Sequence, residues 1–168
     1  RVAAISGDDI TEKFESFQKS GKLLPFEMEG EKEEIPKKVE SANVYIGATT
    51  IVDALKSGAQ IIVTGRCVDS ALVLAPLMFE FGWKETDYDL LACGSVAGHI
   101  VECGCQATGG NFTDWELSYK HGWDNVGFPI IECFPDGSFI VTKPDHTGGI
   151  VTKATVAEQL VYEIHDPA

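Results

Sequence analysis

A chain of 168 residues, 44% hydrophobic and 23% charged, is long enough to bury a core of its own and too apolar to remain disordered. Its net charge of −13 opposes binding to nucleic acid, and any bound anion needs a locally basic pocket against that field. The longest apolar run, residues 71–79, is interrupted by Pro76 and is far too short to span a bilayer, so no membrane association is expected.

Residues 1–6 read as a strand that runs into Gly7, and Asp8 or Asp9 then offers a helix cap. Ile10, Phe14 and Phe17 share the inner face of that helix, with Gly21 just past its end. Residues 22–41 change character: Glu27, Glu29, Glu31, Glu33 and Glu34 crowd around Lys32 between Pro25 and Pro36. Such a composition buries no core, and the stretch reads as a solvated acidic loop or insertion.

Residues 48–57 form a short helix with Ile51, Val52 and Leu55 inward and Gly58 at its end. Residues 59–64 are a continuous apolar strand, the pattern of one buried on both faces of a parallel sheet. Residues 67–81 are apolar nearly all round, with Pro76 expected to kink or restart the helix. Asp87 or Asp89 can cap a further helix that runs to about Gln106, in which Gly94, Ala97, Gly98 and Gly104 permit close approach of another backbone. Residues 128–134 and 138–142 make a β-hairpin around Pro135-Asp136-Gly137. After Gly148-Gly149 comes a last helix, in which Thr155 and Glu158 have capping-box spacing. Ala157, Leu160, Val161 and Ile164 line its inner face, and Asp166-Pro167 stops it. The expected fold is α/β: an open, mostly parallel sheet with strands 1–6 and 59–64 as neighbours, helices on both faces and the antiparallel hairpin at its edge.

Five cysteines are an odd number without disulfide spacing, and reduced thiols suit the cytoplasm or a mitochondrial matrix. The opening Arg1-Val2-Ala3-Ala4-Ile5 has neither an initiating Met nor the profile of a signal peptide, and reads as the interior of a longer chain.

No GxGxxG after a strand, phosphate-loop lysine motif, GxSxG elbow or HExxH is present, which weakens dinucleotide, P-loop and serine-hydrolase readings. Thr64-Gly65-Arg66-Cys67-Val68-Asp69-Ser70 sits where a parallel strand meets a helix N-terminus, the ligand edge of an open sheet. There glycine lets backbone approach a ligand, and Arg66 can hold an anion bidentately. The plainer alternative is that Arg66 and Asp69 pair with each other. His99, Glu102, Cys103 and Gln106 follow the i, i+3, i+4, i+7 spacing of one helical face, ahead of Thr108-Gly109-Gly110. That face suits a general acid/base pair of His99 and Glu102; a hydrogen-bonded polar face is its alternative. Zinc on His99, Cys103 and Cys105 is disfavoured because Cys105 points elsewhere on a helix, and no metal is expected. In a third group, Lys143, His146, Thr147, Gly148, Gly149, Glu158, Glu163, His165 and Asp166, the glycine pair ahead of a helix suits a phosphate or carboxylate, but capping already explains Glu158 and helix termination explains Asp166-Pro167. The expected pocket has Gly65, Arg66, Asp69 and Ser70 on one side and Thr108, Gly109 and Gly110 opposite.

Residues 2–9 and 43–47, Ile62-Val63-Thr64-Gly65-Arg66, Ala97-Gly98-His99 through Glu102-Cys103-Gly104, Gln106-Ala107-Thr108-Gly109-Gly110, and Glu158-Gln159-Leu160 to Glu163-Ile164-His165-Asp166-Pro167 resemble the acyclic terpene utilisation family. The resemblance covers nearly the whole chain apart from 22–41. It implies that residues 1–168 are the central part of one longer domain of that type. Members of that family occur beside biotin-dependent acyl-CoA carboxylases, which implies a coenzyme A thioester as substrate; no cofactor and no established catalytic residue comes with the resemblance. Two functions are therefore expected. One is an enzyme of hydratase or lyase type acting on a branched or terpenoid acyl-CoA. The other is a non-catalytic binding or assembly partner of a carboxylase, and a homo-oligomer fits either.

Overall fold

A computed structural model of the chain describes residues 1–24, 27–28, 31–32 and 34–164, with backbone pairing only at 27–28 and 31–32. Strand β1 (Val2–Ile5) leads through a 3-10 turn (Thr11–Lys13) into α1 (Phe14–Lys19). Asp8 and Asp9 do not cap that helix. Asp9 instead accepts from the Thr11 N–H at 2.9 Å, while Asp8 reaches across to a distant loop. Gly21, at φ +69°, closes α1 as expected, with the Lys22 N–H donating to the Phe17 carbonyl.

Inside the acidic stretch, β2 (Glu27–Met28) and β3 (Glu31–Lys32) pair antiparallel. Pro25, Glu29 and Glu33 lie outside the described residues, as do His165, Asp166 and Pro167. Helix α2 (Ala48–Lys56) buries Ile51, Val52 and Ala54. It ends at Gly58, whose φ of +80° lets the Ala59 N–H reach back to the Ala54 carbonyl. β4 (Ile61–Thr64) then pairs parallel with β1, from Val2 against Ile61 to Ile5 against Thr64.

The α/β class holds, but the sheet is more open than the sequence pattern implies. Ile5 and Ile62 face a core of Ile51, Val52, Ala71, Ala75, Met78 and Trp83. The opposite face is uncovered: Val2 is 70% exposed, and Ile61 and Val63 are each 60% exposed. An unbroken apolar run does not reveal whether one or both faces of a strand are buried, because it has no alternation to read.

Helix α3 (Ala71–Phe81) begins four residues later than expected, because Cys67 is held in a parallel bridge to Ile46. Pro76 sits inside α3 without ending it. Helix α4 (Tyr88–Glu102) stops short of Gln106, and a second 3-10 turn (Gly104–Thr108) follows. Gly104 has a φ of +56°, a left-handed backbone that does not continue an α-helix. After the short α5 (Trp115–Tyr119), β5 (Ile130–Cys133) and β6 (Phe139–Thr142) form a hairpin. Its tip turns at Gly137, φ +86°, and rests on α4, with the Trp83 Nε1–H donating to the Pro135 carbonyl at 3.1 Å. This hairpin is a sheet of its own and does not extend the parallel pair.

Helix α6 (Lys153–Val161) differs most from the sequence pattern. Its capping box is Thr152 with Thr155, rather than Thr155 with Glu158. Thr155 and Gln159 turn inward, while Ala157, Val161 and Ile164 are exposed. Glu158 is used instead to accept from the Thr113 N–H at 2.8 Å.

Candidate functional site

The loop after β4 is fixed from below by Asp8. Its carboxylate accepts from the Arg66 N–H at 2.8 Å and from the Asn43 amide at 2.9 Å. The first of these bonds does most to lower its pKa, since both favour the ionised form. The same carboxylate occupies the space a Cβ would need at residue 65, so a side chain there would push Asp8 off the Arg66 N–H. Arg66 projects from this loop and lies over the Tyr45 ring, 4.8 Å from its centroid, donating to the Tyr45 hydroxyl at 2.9 Å. Among the described residues the ion pairs are Lys19–Glu15 and His99–Glu102, so Arg66 and Asp69 do not close on each other.

Ser70 caps the start of α3 in position only, with no side-chain capping bond. It marks instead the point where α3 crosses α4. A Cβ on Gly98 would stand 2.7 Å from the Ser70 Cα and carbonyl oxygen. This contact brings Asp69 beside the last turn of α4, which carries His99 and Glu102.

Between the two helices lies a cavity of about 560 Å³. Leu72, Val73 and Val101 give it an apolar wall, and Arg66, Asp69, Glu102, Cys103 and Glu163 give it polar groups. Glu163 arrives from the far side, placed by a left-handed backbone, φ +59°, just after α6. That conformation is strained for a residue with a side chain. Among the described residues, Asp69, Glu102 and Glu163 each place one oxygen within 4.8 Å of the others, an arrangement that can present three hard ligands to a divalent cation.

Glu102 is the most perturbed acid of this group. Burial pushes its pKa up, the neighbouring charges of Asp69 and Glu163 add to the rise, and His99 opposes it. The balance favours a carboxyl that keeps its proton above the ordinary range. The contact with His99 is short, 2.6 Å from Nδ1 to Oε1, with side chains only 20% and 11% exposed. Behind it, the Gln159 amide donates to the His99 carbonyl at 3.0 Å, tying α6 to α4. The Cys103 thiol is raised by burial, which favours the protonated thiol over a nucleophilic thiolate.

The structure thus brings Arg66, Asp69 and Glu102 to one cavity, with His99 bonded to Glu102 but not on the wall. Gly65 and Ser70 support that wall through Asp8 and Gly98. Thr108, Gly109 and Gly110 do not face it. Thr108 is buried with its hydroxyl 2.6 Å from the Gly127 carbonyl, Gly109 lies against Ser118, and Gly110 against the Cys105 carbonyl. Of the third group, Lys143 donates to the Thr147 carbonyl at 2.7 Å, His146 is exposed, and Gly148 and Gly149 press against the Gly122 and Thr108 carbonyls. Nothing in the local pattern marks Tyr45 or Gln159 as partners of this region, because both act across long sequence separations.

Fold and cavity together describe an α/β protein with a carboxyl-rich cleft of small-molecule size beside the end of a parallel strand. The family model described as acyclic terpene utilisation family protein AtuA matches residues 1–168, the whole chain, and the chain belongs to that family. Membership implies a role in acyclic terpene utilisation. No curated protein and no solved structure matches it. Among the described residues, no helix is long and apolar enough to cross a membrane.

Proposed function

We propose that the cleft between α3 and α4 is an acid/base site for hydratase or lyase chemistry on a branched or terpenoid acyl thioester of coenzyme A. The observation that carries this reading is Glu102: a carboxyl inclined to hold its proton, on a cavity wall, 2.6 Å from an imidazole. In hydration of an unsaturated thioester, Glu102 gives its proton to the carbon next to the thioester carbonyl as the double bond opens. Water adds at the next carbon, and the proton it sheds restores the carboxyl. His99 steadies the carboxylate formed in between. Leu72, Val73 and Val101 suit an apolar acyl chain, and Arg66, exposed at the edge, suits the phosphates of the coenzyme.

The test is incubation with a panel of branched acyl-CoA thioesters and analysis of products by mass spectrometry. A hydrated or cleaved product is expected, falling by about 10²–10⁴-fold in Glu102→Gln. Unchanged turnover in that variant, or no product from any thioester, contradicts the proposal.

A second reading has its own support in the uncovered sheet face of Val2, Ile61 and Val63. There the chain is a non-catalytic binding or assembly partner of a biotin-dependent acyl-CoA carboxylase. Binding to a purified carboxylase that is lost in Val63→Lys and indifferent to His99→Ala would favour it over the first.

A further inference from the structure

Asp69 lines the cleft with nothing structural to do. Its carboxylate closes no ion pair among the described residues, and α3 begins at Ser70 without a side-chain cap. Its place is nonetheless fixed. The next residue, Ser70, packs its backbone on Gly98, where a Cβ would come within 2.7 Å, and this carries Asp69 to the last turn of α4. There Asp69 and Glu102 line one cavity, each with an oxygen within 4.8 Å of the other's. Two hydrogen bonds of about 2.8 Å that meet at a tetrahedral water span about 4.6 Å, so the separation fits two carboxyls sharing one water molecule.

We infer that Asp69 is the general base of the cleft: with Glu102 it holds the water that adds to the double bond, and it takes that water's proton as the new C–O bond forms. The inference rests on the acid/base reading proposed above and supplies its second group. Environment divides the roles between the two carboxyls. Asp69 is exposed, and an ionised carboxylate can only accept a hydrogen bond. Glu102 is 11% exposed, with one oxygen held by His99 at 2.6 Å, and burial together with the charge of Asp69 favours the proton on it. In the step itself, the water oxygen bonds to the carbon second from the thioester carbonyl. The π pair moves to the carbon next to the carbonyl, which takes the proton of Glu102. Asp69, now protonated, passes its proton to the Glu102 carboxylate through the next water to enter, and both groups return to their starting state. Glu163 lines the same cavity and is the rival base. Asp69 is preferred because it borders the packed helix crossing, whereas Glu163 lies beyond the last residue of α6.

Two assays of the full chain test this: hydration of the branched acyl-CoA panel, and exchange of the α-hydrogen of a saturated branched acyl-CoA in deuterium oxide. Hydration needs both carboxyls, whereas exchange needs only Glu102. Asp69→Asn should lower kcat for hydration by about 10²–10⁴-fold with KM little changed, and should retain exchange. Glu102→Gln should lose both, and Glu163→Gln should cost hydration less than Asp69→Asn does. A wild-type chain that neither hydrates nor exchanges any thioester sinks the acid/base reading itself, and Asp69 with it. If the wild-type chain hydrates while Asp69→Asn keeps its rate, or loses exchange in step with hydration, Glu102 stands and the assignment of Asp69 is overturned. A loss in Glu163→Gln as large as in Asp69→Asn overturns it too. So does hydration that a chelator abolishes and magnesium restores, which would make Asp69 a metal ligand instead.

Discussion

Replacing Gly98 by alanine probes the crossing on which the cleft depends. The added Cβ would lie 2.7 Å from the Ser70 Cα and 2.7 Å from its carbonyl oxygen, against an ordinary contact of about 3.5–4.0 Å. The obstruction is backbone, so the helices themselves must separate. Overpacking of this kind costs about 1–3 kcal/mol, and the better helix propensity of alanine returns about 1 kcal/mol. Gly94→Ala on the same helix is the natural control. Its Cβ would meet the Leu74 Cδ1 at 2.7 Å, the far end of a side chain that can rotate away. Urea unfolding followed by circular dichroism should place Gly98→Ala about 1–2 kcal/mol below Gly94→Ala, or roughly 2–8 °C in Tm for a chain of this size. If Gly98→Ala equals or exceeds the control in stability, the close crossing is not what positions Asp69 against Glu102.

Glu102→Gln should change the pH dependence of stability. Because the folded-state pKa of Glu102 is raised, its contribution is full at acid pH and is lost as pH rises through that value. The variant should therefore flatten this decline, which begins at the ordinary glutamate value and runs up through the raised one, in urea titrations, and an unchanged profile counts against a raised carboxyl. Asp8 works in the opposite sense: its lowered pKa gives stability above the ordinary Asp value that is lost as pH falls, and Asp8→Asn should remove that acid-side loss. Thr108→Val leaves the Gly127 carbonyl without its donor and should cost about 1–3 kcal/mol in the same assay. Arg66→Ala should leave the Tm unchanged. Since the guanidinium is exposed, the substitution should weaken binding of an acyl-CoA by only about fivefold, measured by calorimetry.

What could be read from the sequence was mostly local. Gly58 and Pro135-Asp136-Gly137 mark a helix end and a turn through backbone demands that no distant contact alters, and both are where expected. The pairing of residues 1–6 with 59–64 followed from the need of parallel strands for an intervening helix. Direction was harder. The strip Ala157, Leu160, Val161 and Ile164 was legible as apolar, but periodicity gives a face without saying what it faces. Thr155 and Gln159 won the interior through a cap and a bond to a carbonyl sixty residues away. In the cleft, Arg66, Asp69 and Glu102 were legible by residue chemistry and their place beside a strand end. Thr108-Gly109-Gly110 looked similar but serves the tight junction with Ser118 and Gly127, a difference set by tertiary contact alone.

At the heart of the cleft is a carboxyl whose pKa is raised by burial, beside an imidazole that opposes the rise. Carbon-13 NMR titration of the Glu102 side-chain carboxyl in the full chain, compared with Glu102→Gln to assign the signal and with His99→Ala, measures this directly. A midpoint above the ordinary glutamate value is predicted, moving higher still in His99→Ala, because His99 opposes the rise. A midpoint at or below the ordinary value, or one indifferent to His99, contradicts the account.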